Sequence, residues 1–282
     1  MPRIDSRNVT QYWCDPHLGG LSLLRADFTA HEYKPHIHEE LVVAATERGG
    51  AVIKSRGVAQ EAHPSALFVF NPEEPQSSWM GYSRRWLYRA FYLNIPAMQE
   101  VAAALGLVTL PRFTTNLLAD RRLIDSFLSL HRCLEVGRDP LRQRELLIDS
   151  FGRLFERHGR VGEVVEAAPK DRAIFQKVTR MMRECHDLSL LLQDLADAVG
   201  LTTFQLIGLF KRVAGLTPHT YLTQLRLSAA CRHIRAGMPI AEVAAVAGFC
   251  DQSALNHRFR QSYGITPKQF AKAVCGQMNP RH

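Results

Sequence analysis

The sequence lacks the features that mark membrane proteins, secreted proteins and zinc proteins. No apolar run approaches the ~20 residues that span a bilayer, and the first ten residues carry Arg3, Asp5 and Arg7 in place of an apolar signal segment. The six cysteines are scattered and form no CxxC pair, which argues against a disulfide framework and against a zinc site. We therefore expect reduced thiols, a cytoplasmic location and no membrane partner.

Catalytic motifs are missing as well. The chain has no nucleophile elbow, no P-loop and no glycine-rich dinucleotide motif, so we predict neither an enzyme nor a cofactor. The composition is that of an ordinary globular protein, 46% hydrophobic and 22% charged over 282 residues. This length suits two domains that each bury a core of their own.

Positive charge is concentrated at one end of the chain. Residues 1–169 carry 20 Lys and Arg and 20 Asp and Glu, whereas residues 170–282 carry 15 and 7. All of the formal net charge of +8 therefore lies in the C-terminal part. A neutral half joined to a basic half favours a regulatory or catalytic module linked to one that meets a polyanion.

The N-terminal part has a strand pattern that gives way to a helical one. Short apolar runs between residues 21 and 94, separated by Gly, Pro and Asn, predict a β-sandwich or barrel. Two helices are predicted at about 120–136 and 141–158. The second carries an apolar stripe that could cover the barrel or pair with another copy of the chain: Leu147, Phe151, Leu154 and Phe155.

After residue 170 the pattern is helical throughout. We predict a two-domain α+β protein, with residues 1–160 as a barrel plus a helical dimerisation segment and residues 170–282 as an all-α domain. The segment 161–169, with two glycines and one proline, is the predicted linker.

The helical part contains an internal repeat. The segment from Ala196 to Gly200 recurs 48 positions later, and the segment from Phe210 to Pro218 recurs 49 positions later. One extra residue therefore lies in the second copy, at its turn or early in the following helix. Each copy has the layout of a helix-turn-helix, in which a glycine takes the turn conformation that other residues adopt only at a steric cost.

The second helix of each copy has an inward and an outward face. Inward positions are Leu206, Phe210 and Val213 in copy one and Leu255, Phe259 and Tyr263 in copy two. The outward positions and their neighbours are the candidate DNA-contacting residues: Thr203, Phe204, Gln205, Ile207, Gly208, Lys211 and Arg212, and then Gln252, Ser253, Asn256, His257 and Arg260. Gln252 and Asn256 suit adenine, and His257 can donate to guanine or to a phosphate.

Copy one is less polar on its outward face. Ile207 and Gly208 favour thymine methyls and phosphates, with charge from Lys211 and Arg212. Alternatively, Thr203 and Gln205 read the bases there. Phe204 could pack on DNA sugars or shield the turn.

A long helix is predicted between the copies. Thr217 is placed to cap it, Pro218 to occupy its first turn and Gly237 to end it, giving about 19 residues. At 1.5 Å per residue it spans ~28 Å, close to the ~34 Å between successive major-groove faces of one duplex. Such a spacer could hold two recognition helices in adjacent major grooves.

At these residues the sequence resembles the AraC/XylS family of bacterial transcription regulators. The resemblance covers about 188–270 and includes Leu195-Ala196, Gly215-Leu216-Thr217-Pro218, Arg226-Leu227, Gly248-Phe249 and Thr266-Pro267. It implies double-stranded DNA as partner, read in two neighbouring major grooves, and usually a homodimer. It also implies RNA polymerase as partner for an activator, the commoner mode of the family.

The N-terminal half resembles the cupin-like sensor domain that often precedes this module. The residues that carry this resemblance include Pro35 to Glu40, Asn71 to Gln76 and Trp86 to Tyr88. The resemblance implies a small-molecule effector contacted by Gln76, Ser78 and Tyr88, although the aromatic often found at the position of Ala90 is missing.

His36 and His38 have the spacing of two metal ligands on one strand, but the later ligand position holds Gln76. A polar role in the effector pocket, or a structural role, is therefore favoured over a metal site.

The sequence thus predicts a DNA-binding transcription regulator that responds to an effector. Two alternatives remain at this stage. One is a metal-dependent cupin enzyme with a helical appendage, and the other is a DNA-binding protein that is insensitive to any ligand.

Overall fold

The structure is a computed structural model that describes residues 8–16, 18–64, 66–107, 109–137, 139–160, 169–188 and 190–275. Contacts divide the chain into two units, Met1–Glu32 with His38–Glu163, and Tyr33–Ile37 with Val164–His282. The predicted linker lies outside the described residues, apart from Pro169, where a helix begins. No helix in the described ranges is long and apolar enough to cross a membrane.

The first unit is built mainly of strands, and two antiparallel sheets contain most of them. In chain order the strands are β1 (Val9–Cys14), β2 (Leu21–Phe28), β3 (Glu32–His36), β4 (Leu41–Gly49), β5 (Ala51–Ser55), β6 (Val58–Ala62), β7 (Leu67–Phe70), β8 (Gln76–Trp79), β9 (Trp86–Leu93) and β10 (Leu117–Leu118). The larger sheet has the order β1-β2-β9-β4-β7-β10, and β5 pairs with both β6 and β8 in the other sheet. By its contacts, most of β3 is grouped with the second unit.

The register of the larger sheet separates its two faces. Ala90 of β9 lies opposite Leu24 of β2 and Ala44 of β4, and Tyr88 lies opposite Ala26 and Thr46. Because alternate residues of a strand point to opposite faces, these side chains share one face, which we call the inner face. The next residues along β9, Arg89 and Phe91, belong to the outer face.

Three helices accompany the sheets: α1 (Ile95–Ala104), α2 (Arg121–Val136) and α3 (Pro140–His158). Each has a side-chain N-cap, from Asn94, Asp120 and Asp139 respectively. The apolar stripe of α3 is fully buried in one core with the outer face of the sheet and with α2, as Leu147, Phe151, Leu154 and Phe155. Of the two uses open to this stripe, the structure therefore supports covering the sheet.

A buried polar cluster ties α2 to the outer face of the sheet. Arg89 donates from Nε to Glu47 Oε2 at 2.9 Å and from a terminal nitrogen to Glu135 Oε2 at 2.6 Å. The same terminal nitrogen lies 2.9 Å from His131 Nδ1. Because guanidinium can only donate, Nδ1 accepts, and Nε2–H of His131 donates to Leu24 O at 3.2 Å. Burial is the main reason, with Arg89 second, that the pKa of His131 is lowered to about 3.

The second unit is helical, as the sequence predicts. Its helices are α4 (Pro169–Glu184), α5 (Leu192–Asp197), α6 (Thr203–Ala214), α7 (Pro218–Arg235), α8 (Ile240–Val246), α9 (Gln252–Tyr263) and α10 (Pro267–Cys275). The two-domain α+β class is confirmed, with a strand-rich N-terminal part and a helical C-terminal part.

The internal repeat is confirmed in the backbone. Helices α6 and α9 each have 12 residues, and each ends at a left-handed glycine, Gly215 and Gly264. The glycines that follow α5 and α8, Gly200 and Gly248, are also left-handed, with φ of 65° and 81°. In copy one the next N-cap, Thr202, stands two positions after Gly200. In copy two the next N-cap, Asp251, stands three positions after Gly248. The extra residue therefore lies in the turn.

Helix α7 joins the two copies. Thr217 caps it by accepting a hydrogen bond from Thr220 N, and Pro218 occupies its first turn, as predicted. Its 18 residues make it about 27 Å long.

Candidate functional site

The outward face of α9 is more polar than the outward face of α6. Asp251 caps this helix, and its carboxylate accepts from Ala254 N at 2.6 Å. Leu255 and Phe259 are buried, as predicted, and Tyr263 is half-buried. The candidate DNA-contacting residues of this helix occupy the other side: Gln252, Ser253, His257 and Arg260 are exposed, and Asn256 is half-buried. Donors and acceptors are thus presented along three turns.

The outward face of α6 is apolar by comparison. Phe204 is 85% exposed, which is exceptional for a phenylalanine. Thr203, Ile207 and Gly208 are half-buried, and Lys211 is exposed. A β-carbon at Gly208 would meet only the guanidinium of Arg212, at 3.3 Å. This face therefore offers apolar contact area, with Lys211 exposed near its end.

Two candidates on α6 are occupied by contacts within the chain. Gln205 belongs to a capping box, because its Oε1 accepts from Thr202 N at 2.8 Å while its own backbone N–H donates to Thr202 Oγ1. Arg212 donates from two nitrogens to Asp171 Oδ2 of α4, at 2.9 and 3.2 Å. The structure therefore gives Gln205 a capping role and directs Arg212 towards α4.

The second unit is basic and presents two capped helices with exposed faces. This arrangement is typical of tandem helix-turn-helix proteins. Tandem helix-turn-helix units place their second helices in the major groove of DNA.

The inner face of the larger sheet carries an aromatic group around Tyr88. The Tyr88 ring stacks on that of Trp86, with centroids 4.2 Å apart, and lies 6.1 Å from that of Phe28. Trp86 Nε1 donates to Thr46 Oγ1 at 3.1 Å. The ring of His38, itself buried, lies 5.1 Å from that of Tyr92, two residues beyond Ala90 on the same face. Tyr88 therefore belongs to this face, and the ring of His38 lies against it at Tyr92.

Sequence reasoning missed Trp86 and Phe28 as neighbours of Tyr88. The signal was available for Trp86, because it stands two positions before Tyr88 in a strand and so must share its face. Phe28 is far away in sequence and is brought there by strand pairing.

Gln76 and Ser78 lie on β8, opposite Ser55 and Ile53 of β5. Ser78 is buried and Gln76 is half-buried. The turn before β8 is held by Glu74, whose carboxylate accepts from Arg56 at 2.7 and 2.8 Å, from Asn71 Nδ2 at 2.7 Å and from Asn116 Nδ2 at 2.6 Å. These donors, Arg56 foremost, hold the pKa of Glu74 below its usual value despite burial. This clamp fixes the position of the residues that follow.

His36 belongs by its contacts to the second unit. Its ring is buried, its Nδ1 lies 2.7 Å from Lys34 O, and its centroid is 5.6 Å from that of Tyr33. Burial lowers the pKa of His36 to about 4. Within the described ranges no group of three or more His, Cys, Asp or Glu could hold a metal ion. His36 is held by its own strand.

Comparison with known proteins identifies both parts of the chain. Residues 195–273 match the family described as helix-turn-helix domain, and residues 18–151 match the family described as AraC-like ligand binding domain. The first match contains both α6 and α9, and the second contains the inner face of the sheet.

Individual relatives agree with this assignment. The chain is 25% identical over 240 residues to the HTH-type transcriptional regulator YbfI of Bacillus subtilis, covering 85% of this chain and 86% of YbfI. It is 31% identical over 97 residues to the TetD protein of transposon Tn10 from Escherichia coli, covering 34% of this chain and 70% of TetD. Among solved structures, unsaturated fatty acid-bound ToxT from Vibrio cholerae has a TM-score of 0.53 at 10% identity, covering 98% of this chain and 99% of ToxT. That likeness supports the fold.

The chain therefore belongs to the AraC family of transcription regulators. It combines an AraC-like ligand-binding domain with a helix-turn-helix DNA-binding domain, as the sequence resemblance implies.

Proposed function

We propose that this chain is a sequence-specific regulator that reads two DNA motifs, one with each recognition helix, and changes its DNA binding when a small molecule occupies the N-terminal unit. One observation carries this proposal. Helices α6 and α9 both have 12 residues and both present an exposed face. Helix α7, about 27 Å long, joins the two copies that contain them. That length is close to the ~34 Å between successive major-groove faces.

The second motif is read by polar contacts. Asn256 and Gln252 have the amide groups that pair in bidentate fashion with adenine, and His257 can donate to guanine. Arg260 stands one turn further along the exposed side and suits a phosphate. Ser253 is placed to donate to a base or to the backbone.

The first motif is read mainly by apolar contacts. Phe204 and Ile207 match the thymine methyl group, the apolar feature of the major groove. Gly208, without a side chain, permits close approach of the helix. Lys211 supplies a phosphate contact, and Thr203 is the remaining polar reader on this helix, since Gln205 serves the cap.

The effector binds at the inner face of the first unit in this proposal. Tyr88 and His38 supply aromatic surface and a polar ring beside small residues such as Ala44 and Ala90. Gln76 and Ser78 remain candidate contacts from the sequence, and an effector contact by His36 stays a prediction from the sequence alone. Binding acts as a population shift, in which the effector favours one of two states of the chain that differ in DNA affinity.

The remaining partners follow from the family. We infer a homodimer, a cytoplasmic location and, if the protein is an activator, contact with RNA polymerase. We place the dimer surface away from the apolar stripe of α3, which is buried in the core of its own chain.

A selection experiment tests this function. The purified full-length protein would be incubated with random duplexes, and the bound fraction sequenced across a salt series. We expect two motifs about one helical turn apart, and loss of the second motif alone in an Asn256→Ala, His257→Ala variant. Arg180→Gln serves as a control for general loss of affinity, since it removes one exposed positive charge from α4 outside the recognition helices and should leave both motifs enriched. Enrichment of no sequence, with binding that only fades with salt, would contradict the proposal.

A second binding experiment tests the effector site. Candidate small molecules would be added at fixed DNA concentration to the wild type and to a Tyr88→Ala variant. A change in operator affinity for the wild type that is lost in the variant supports the effector site. Specific DNA binding that no compound alters would instead indicate a constitutive DNA-binding protein.

A further inference from the structure

The helical unit consists of two lobes that share α7. In the first lobe α4 and α5 each pack against α6, and α4 and α6 pack against α7. In the second lobe α8, α9 and α10 each pack against α7, and α9 also packs against α8 and α10. A buried core of the first lobe includes Val178, Leu206 and Phe210. A single shared helix fixes the separation of the two lobes better than it fixes the rotation of one lobe about the helix axis relative to the other. Contacts beyond α7 itself therefore contribute to the angle between the lobes.

Arg226, in the middle of α7, makes such a contact. Its Nε–H donates to His186 O at 2.7 Å and a terminal nitrogen donates to Leu188 O at 3.0 Å. Both carbonyls lie in the connection between α4 and α5, four to six residues before the first helix of copy one. Hydrogen bonds from a charged donor are worth about twice as much as neutral ones. Burial lowers the pKa of this half-buried guanidinium.

The turn of copy two meets the same point from the other lobe. Gly248, which precedes α9 by four residues, has φ of 81°. A β-carbon there would lie 2.7 Å from His186 O, 2.8 Å from Arg226 Nε and 2.9 Å from Asp187 Cα. Only glycine fits where these groups come together.

The close packing at Gly248 covers only part of this junction. A groove of about 480 Å³ opens beside it, lined among others by Leu188, His219, Arg226, Phe249 and Arg258. Since the groove leaves space between the lobes, directional hydrogen bonds are needed to hold their angle.

We propose that Arg226 is a positioning residue, which fixes the distance and angle between α6 and α9 and so determines which spacing of the two DNA motifs the protein accepts. This inference rests on the proposed reading of two motifs. One added base pair moves the second motif by about 3.4 Å along the axis and by about 35° around it. A rigid pair of helices cannot follow that displacement, and a loosened pair can.

Affinity for operators of altered spacing tests the proposal. Operators with the selected spacing and with one base pair added or removed would be titrated with the full chain. We expect the wild type to lose about tenfold or more on a one-base-pair change, and Arg226→Met about threefold or less. Affinity for a duplex with a single motif should change by less than about twofold, which a general folding defect would not allow.

Two further variants separate positioning from charge. Arg180→Gln removes the same charge from an exposed site, so it should weaken all operators together and leave the spacing ratio unchanged. Arg226→Lys keeps the charge and one donor, and should restore part of the spacing preference. If Arg226→Met does not fold, Arg226→Lys alone is expected to lie between wild type and no preference. A folded Arg226 variant with the wild-type spacing ratio overturns the proposal.

A readout without DNA distinguishes this failure from failure of the proposed function. Spin labels on unnatural side chains at Gln193 of α5 and Lys268 of α10, both exposed, report the distance between the lobes. We expect a narrow distance distribution in the wild type and a broader one in Arg226→Met, whether or not any DNA sequence is selected. Equal widths in both proteins would refute the positioning role.

Discussion

The buried His131 makes a quantitative prediction about acid stability. Its side chain is fully buried, between Arg89 and the backbone of Leu24, and its pKa is about 3 in the folded chain. The ordinary value is about 6.5. Above that value the imidazole is neutral in both states and contributes no pH dependence. As the pH falls below 6.5 the unfolded chain takes up a proton that the folded chain refuses, so stability decreases.

The size of this loss follows from the two pKa values. Each pH unit between about 6.5 and 3 costs about 1.4 kcal/mol. Going from pH 8 to pH 5, the free energy of unfolding of the first unit should therefore fall by about 2 kcal/mol through His131 alone.

Tryptophan fluorescence gives an assay that is confined to this unit. All three tryptophans, Trp13, Trp79 and Trp86, lie in it, and the ring of Trp13 lies 5.1 Å from that of His131. Urea unfolding at pH 8 and pH 5 would be compared for the wild type, His131→Phe and the exposed-histidine control His63→Gln.

The decisive quantity is the change in stability between the two pH values. His131→Phe should be less stable than the wild type at pH 8, because Arg89 and Leu24 O lose a partner. Its further loss at pH 5 should be smaller than that of the wild type by about 2 kcal/mol, whereas His63→Gln should behave as the wild type does. An equal loss in His131→Phe and the wild type would refute the reasoning.

Three further predictions concern the clamp, a turn and the recognition helix. Glu74→Gln should destabilise the first unit by about 2 kcal/mol in urea unfolding, because a buried carboxylate that accepts from Arg56, Asn71 and Asn116 loses its charge. The wild-type contribution should fade as pH drops below the ordinary glutamate pKa, and a neutral result would show that the clamp does not stabilise this unit. Gly49→Ala should lower the melting temperature strongly, since a β-carbon there would lie 1.7 Å from Arg85 O at φ of 72°; an unchanged melting curve would contradict this. Asn256→Ala should relax base preference at one position by about 1–3 kcal/mol in competition binding, whereas Arg260→Gln should weaken all sequences alike and reduce the salt slope by about 0.9; the reverse pattern would exchange their assigned roles.

The sequence by itself determined the repeat, the helix caps and which face of α6 and of α9 is buried. These are local properties, because a 3.6-residue period, a capping threonine before a proline and a glycine after a helix are all readable from neighbouring residues. The capping role of Gln205 was readable in the same way, from Thr202 three positions before it.

Tertiary structure decided the partners of the long charged side chains and the use of the apolar stripe. Arg212 meets Asp171 across 41 positions, Arg89 meets His131 across 42, and Arg226 reaches carbonyls 38 and 40 positions away. A long flexible side chain has many rotamers, and which of them is occupied depends on groups brought near by packing. The apolar stripe on α3 would have the same sequence pattern if it covered its own sheet or if it paired with another copy of the chain. Only the fold shows that Phe151 packs against Phe91 and Phe127.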